Sequence, residues 1–152
     1  MPDLDLINQL VQTYRTLNLS VRTLPEDRLR ARAGDNSGAV SVRDVVRRMR
    51  DDELRFSQAL KERITGVPMP EIFGEDSAPV IGTESEQDTT AAFIAQFGTA
   101  RESTLAMLRS LPDPDWDAVE GEQTKSIRAR IGELIDSDKR QLSRIDTLIG
   151  AS

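Results

Sequence analysis

The chain predicts an all-α fold, a four-helix bundle, on three observations. Four long segments carry apolar residues at helical spacing, three stretches rich in Pro, Gly, Asp and Ser separate them, and no stretch of useful length alternates apolar with polar residues. At 152 residues the chain has the length of one domain, expected over residues 1–152, with enough apolar content for one core. Aromatic residues make up only 4%, so that core is built from Leu, Ile, Val and Ala.

The first helix is expected over residues 3–24, with Leu4, Ile7, Leu10/Val11, Tyr14, Leu17, Val21 and Leu24 on one stripe and Pro25 closing it. Within the connection that follows, Pro25-Glu26-Asp27-Arg28-Leu29 reads as a short helical turn. The second helix begins at Ser41, an N-cap with Asp44 three residues on. Its stripe is Val42, Val45/Val46, Met49, Phe56, Leu60 and Ile64, and it ends at Gly66-Val67-Pro68. The third is expected over residues 86–111, with Phe93, Phe97, Ala100, Thr104, Met107/Leu108 and Leu111 inward, stopped by Pro112-Asp113-Pro114. The fourth covers residues 124–149, with Ile127, Ile131, Leu134/Ile135, Leu142, Ile145 and Leu148/Ile149 inward and Gly150 as its stop.

The connections carry topology. Helices of this length run to roughly 36 Å. A linker over residues 65–85 could reach about 60 Å extended, far more than an antiparallel neighbour needs. The expectation is a crossover, with helices two and three parallel.

Function is bounded first by what is missing. The chain has no histidine and no cysteine. The usual ligands for zinc, nickel, copper and iron–sulfur centres are therefore absent, as are the commonest general base and the most reactive nucleophile. A Ser–His–acid triad cannot be assembled, no lysine sits in a Ser–Lys motif, and no glycine-rich phosphate loop occurs. The net charge of −6 disfavours nucleic acid. The acidic N-terminus lacks a signal core and no apolar run approaches the roughly 20 residues of a membrane span, so a cytoplasmic location is expected.

Two carboxylates occupy positions where an apolar residue belongs. Glu53 lies between Met49 and Phe56 on the second helix, and Asp138 between Leu134 and Leu142 on the fourth. A buried carboxylate must be paired, hydrogen-bonded, protonated or bound to a cation. Arg48, whose planar fork can hold two oxygens, is the expected partner. Arg48, Glu53, Ser137, Asp138 and Gln141 form either a polar pocket for a small polar or anionic ligand or a salt-bridge cluster with no ligand, and both readings stay open. A Mg²⁺ or Ca²⁺ site from Asp52, Glu53 and Asp138 is disfavoured because Arg48 would repel the ion. Arg43, Arg47, Arg48 and Arg50 are answered by Asp44, Asp51, Asp52 and Glu53 and read as a solvated, salt-bridged face. Trp116 reads as a plug that packs its loop onto the bundle.

Three stretches carry a family likeness over nearly the whole chain. Leu24-Pro25-Glu26-Asp27-Arg28-Leu29, Ser41-Val42-Arg43-Asp44-Val45-Val46-Arg47-Arg48-Met49, and the loop with Trp116 followed by Ile135-Asp136-Ser137-Asp138-Lys139-Arg140-Gln141-Leu142 resemble the DinB-like superfamily of bacterial four-helix bundles. That superfamily also includes mycothiol-dependent maleylpyruvate isomerases and related thiol transferases. The resemblance implies an up-down-down-up bundle, in agreement with the crossover, and a homodimer. It also implies a histidine metal triad at the positions of Arg48, Ser137 and Gln141, with a Trp where Val40 stands. None of those residues is conserved in type here. The resemblance therefore implies a member without metal, cofactor or catalytic residues, a binding or interaction module whose arginine replaces the metal. A small-ligand-binding protein or degenerate thiol transferase using Arg48, Glu53 and Asp138 is the alternative.

Overall fold

Ser41 shows how locally the helices are set. Its hydroxyl accepts from the Asp44 backbone N–H while the Asp44 carboxylate accepts from the Ser41 N–H, a reciprocal capping box. A computed structural model of the chain describes residues 4–31, 40–66, 89–119 and 125–150. Its helices are α1 (Leu4–Ser20), α2 (Glu26–Arg30), α3 (Val42–Thr65), α4 (Thr90–Ser110), α5 (Asp113–Asp117) and α6 (Ile127–Gly150). No strand occurs among the described residues, which are all-α as their periodicity predicts.

Several expectations need adjustment at the helix ends. The first helix stops at Ser20, and residues 21–24 continue as turns, a wide one in which Arg22 N–H bonds the Leu17 carbonyl and a tight one in which Leu24 N–H bonds the Val21 carbonyl. Leu4 and Ile64, expected inward, are among the exposed large apolar side chains. The start of α6 is set by Ser126, whose hydroxyl accepts from Ala129 N–H, and Gly150 is its last helical residue rather than a stop beyond it. Gly66 ends α3 in the left-handed conformation, φ 69°, with its N–H on the Glu62 carbonyl. The turn expected from Pro25 is α2, and Trp116 is fully buried on α5, its indole N–H donating to the Leu111 carbonyl at 3.2 Å. The expected crossover over residues 65–85 and the first residues of the helix expected from 86 lie outside the described residues.

The long helices pack side by side, α3 on α4, α4 on α1, α1 on α6 and α6 on α3, while α5 lies on α6 and α2 on α3. Their apolar faces meet in two clusters. One joins Leu17 and Val21, Leu29, Val42 to Met49, Phe93 to Phe97, and Ile145. The other joins Ile7 and Leu10, Leu60, Leu105 to Leu111, Trp116, and Ile127 to Ile135. Between them lies a polar layer.

No described helix is long and apolar enough to cross a membrane.

Candidate functional site

The polar layer is built around Arg101, whose relative exposure is 1%. Helix periodicity places it there: Arg101 follows Phe97 by one turn and precedes Leu105 by one turn, both buried on the inner face of α4. Its guanidinium reaches the three other long helices. Nη2 donates to Glu53 Oε1 of α3 at 2.8 Å and to Asp138 Oδ1 of α6 at 3.2 Å. Nη1 donates to Asp138 Oδ2 at 3.0 Å and to the Leu10 carbonyl of α1 at 2.9 Å. The guanidinium carbon also stands 4.8 Å from the ring centroid of Phe97.

Two threonines complete the layer. Thr104 donates to Glu53 Oε2 at 2.8 Å, and Thr13 donates to Asp138 Oδ2 at 2.7 Å. All four carboxylate oxygens of Glu53 and Asp138 thus accept from protein donors, and both residues are buried. Burial by itself would lower the Arg101 pKa, but the charges of Glu53 and Asp138, and the hydrogen bonds to them, outweigh it and hold the pKa above its ordinary value. The guanidinium is a permanent cation in this setting.

The structure brings Glu53 and Asp138 together, but not through Arg48. The Arg48 side chain is 74% exposed and pairs with Asp52 at 3.7 Å. The reason is angular: consecutive helical residues differ by about 100°, so a residue beside Met49 in sequence lies well off the stripe that Met49 and Glu53 share. Ser137 and Gln141 are half-buried, off the line of α6 that Ile131, Asp138 and Ile145 define. The arginine run is likewise divided. Arg50, expected on a solvated face, is 1% exposed, bonded to Asp51 and to Gln96 Oε1, and stacked 4.8 Å from Phe93.

Arg101 escaped the sequence reading because the apolar residues around it were sufficient to define the third helix. A signal was available. Ile94, Arg101 and Leu108 are spaced by seven, as are Val46, Glu53, Leu60 and Ile131, Asp138, Ile145. One cation therefore stands at the same heptad position as the two anions.

The residues at positions 48, 137 and 141 do not form a metal-binding donor set. The three positions in question hold an exposed guanidinium, a hydroxyl and an amide, and the nearby carboxylates are already engaged. Among the described residues no group of three acidic side chains is placed to hold a metal ion. Comparisons with family models, with curated proteins and with solved structures find no match to this chain.

Proposed function

We propose that this chain is a DinB-like four-helix bundle in up-down-down-up order that acts by binding another molecule through its surface, without metal or catalysis. The observation that carries this reading is the Glu53–Arg101–Asp138 layer, in which both carboxylates are buried and every carboxylate oxygen already accepts from a protein donor. The helix order is supported by the two apolar clusters. The C-terminal halves of α1 and α6 share one cluster with the N-terminal halves of α3 and α4, and the opposite halves share the other. The superfamily assignment rests on the three sequence stretches; the short helix after Pro25 and the buried Trp116 lie within two of them. In this reading Arg101, not Arg48, takes the structural part of the missing metal by drawing two carboxylates to one centre.

A second copy of the chain is the first partner to test, since members of the superfamily commonly pair. Metal content after exhaustive dialysis, light scattering over a concentration series and thiol-transfer assays with low-molecular-weight thiols together test the reading. Less than a tenth of a metal ion per chain, no turnover and a dimer are the expected results. One tightly held metal per chain, or turnover in the thiol-transfer assay, would overturn it.

A further inference from the structure

We propose that the Glu53–Arg101–Asp138 layer is a register lock, a device that selects one alignment of the helices from several that the apolar residues alone would accept. The buried positions of three long helices share one spacing. In α3, Val46, Glu53 and Leu60 recur every seven residues; in α4, Ile94, Arg101 and Leu108; in α6, Ile131, Asp138 and Ile145. All nine are buried. In each helix, then, a charged residue stands midway between two aliphatic ones on the same face.

A helix displaced by one heptad moves roughly 10 Å along its axis and presents the same face to its neighbours. For α3 that slip replaces Glu53 by Val46 or Leu60 at the level of Arg101, an aliphatic residue meeting an interior of aliphatic residues. Van der Waals packing and apolar burial discriminate weakly between such alignments. The ionic layer discriminates strongly. A slip of α3 alone breaks Arg101 Nη2–Glu53 Oε1 and Thr104 Oγ1–Glu53 Oε2, and leaves a carboxylate in an apolar cluster.

The layer also joins every long helix. Arg101 belongs to α4, binds Glu53 of α3 and Asp138 of α6, and takes the Leu10 carbonyl of α1, while Thr13 ties α1 to Asp138 a second time. A displacement of any one of them against the other three therefore breaks at least two of these contacts. Exchanging the whole layer for apolar residues removes the charges together with their partners, so it strands nothing and need not lower stability. It would remove the charged feature that distinguishes one heptad from the next on the shared faces of α3, α4 and α6.

The test is a variant with Thr13→Val, Glu53→Met, Arg101→Met, Thr104→Val and Asp138→Leu together. The chain has no cysteine, so pairs of introduced cysteines can be spin-labelled without background. Arg55→Cys with Ser103→Cys reports α3 against α4, and Arg15→Cys with Arg140→Cys reports α1 against α6; all four positions are exposed. The parent chain is expected to give one narrow distance distribution for each pair. The apolar variant is expected to keep a urea midpoint no lower than the parent's, while its distributions broaden or split. A second variant, Glu53→Gln, Arg101→Met and Asp138→Asn, removes the charges while keeping side chains of similar size and two amides in the layer. Narrow, parent-like distributions in the apolar variant overturn the proposal. Loss of cooperative unfolding in both variants overturns it too, because the layer would then supply stability rather than alignment.

Discussion

Gly98 leaves the space that the ring of Tyr14 fills: a Cβ built on Gly98 would lie 2.3 Å from Tyr14 Cε1 and 2.6 Å from Cζ. This notch lets α1 approach α4 closely. One turn further along α4, Arg101 takes the Leu10 carbonyl, and Leu10 is one turn before Tyr14 on α1. The close approach and the hydrogen bond therefore belong to one stretch of the α1–α4 contact.

Gly98→Ala should destabilise the fold by about 1–3 kcal/mol through overpacking, against the roughly 1 kcal/mol by which alanine favours a helix. Tyr14→Leu should recover most of that loss when combined with it, because the obstruction is the ring. Urea unfolding of the two single variants and the double variant measures the coupling. A Gly98→Ala chain as stable as the parent would show that the ring swings aside at no cost.

Arg101→Met, made alone, should cost about 3–5 kcal/mol, since it leaves Glu53 and Asp138 buried beside one another without their cation. The raised Arg101 pKa fixes the pH behaviour. A group whose pKa is raised on folding contributes fully below its unfolded pKa and loses that contribution only as pH climbs through the folded value. For arginine both lie above the range in which stability is measured. The stability difference between the parent and Arg101→Met should therefore not shrink from about pH 7 to 10, since the guanidinium stays charged throughout. A difference that shrinks towards pH 10 would contradict a permanently charged guanidinium.

Glu26 links α2 to the start of α4. Its carboxylate accepts from the Thr90 N–H at 3.0 and 3.1 Å and from the Thr90 hydroxyl at 3.1 Å, and it pairs with Arg30. Thr89 caps the same helix end by accepting from Ala92 N–H. Glu26→Ala should cost about 1 kcal/mol, the usual scale for a lost helix cap with a favourable charge. It should also speed amide exchange at Thr90 and across α2, read by hydrogen–deuterium exchange. Unchanged exchange at Thr90 would mean that solvent replaces the carboxylate without loss.

Glu133 accepts from Lys125 Nζ at 2.9 Å, and that hydrogen bond, with the charges of Lys125 and Arg130, holds its pKa below the ordinary glutamate value although the side chain is exposed. A lowered pKa means that the pair contributes above the unfolded value and is lost as pH falls through the folded one. Side-chain carboxyl NMR should place the Glu133 titration below that of an unpaired glutamate. Lys125→Ala, or added salt, should move it upward. Identical titration curves with and without Lys125 would exclude the pairing.

Much of the fold can be read from the chain because most helices announce themselves locally. Ser41 with Asp44 and Pro25 mark the starts of α3 and α2, while spacings such as Ile127, Ile131 and Ile135 mark the buried faces; the Thr89 cap of α4 and the helix α5 were not legible in the same way. The two anomalous carboxylates, Glu53 and Asp138, were legible for the same reason: each interrupts an apolar stripe on its own helix. Their partner was not. Which cation meets them depends on how α4 is set against α3 and α6, a three-dimensional fact with no short-range signature. Arg48 is near Glu53 in sequence but turned about the axis, whereas Arg101 is remote in sequence and turned inward.

The ionic layer has an optical consequence. It partitions the interior into two oily compartments with different chromophores: Trp116, the single tryptophan of the chain, lies in one, while Phe93 and Phe97, with Tyr14 at their margin, lie in the other. Tryptophan emission therefore watches only the compartment formed by the first turns of α1 and α6 and the last turns of α3 and α4. A change that loosens the opposite compartment would leave that emission dark to it and register in the tyrosine band, so the two signals together tell on which side of the layer a perturbation falls.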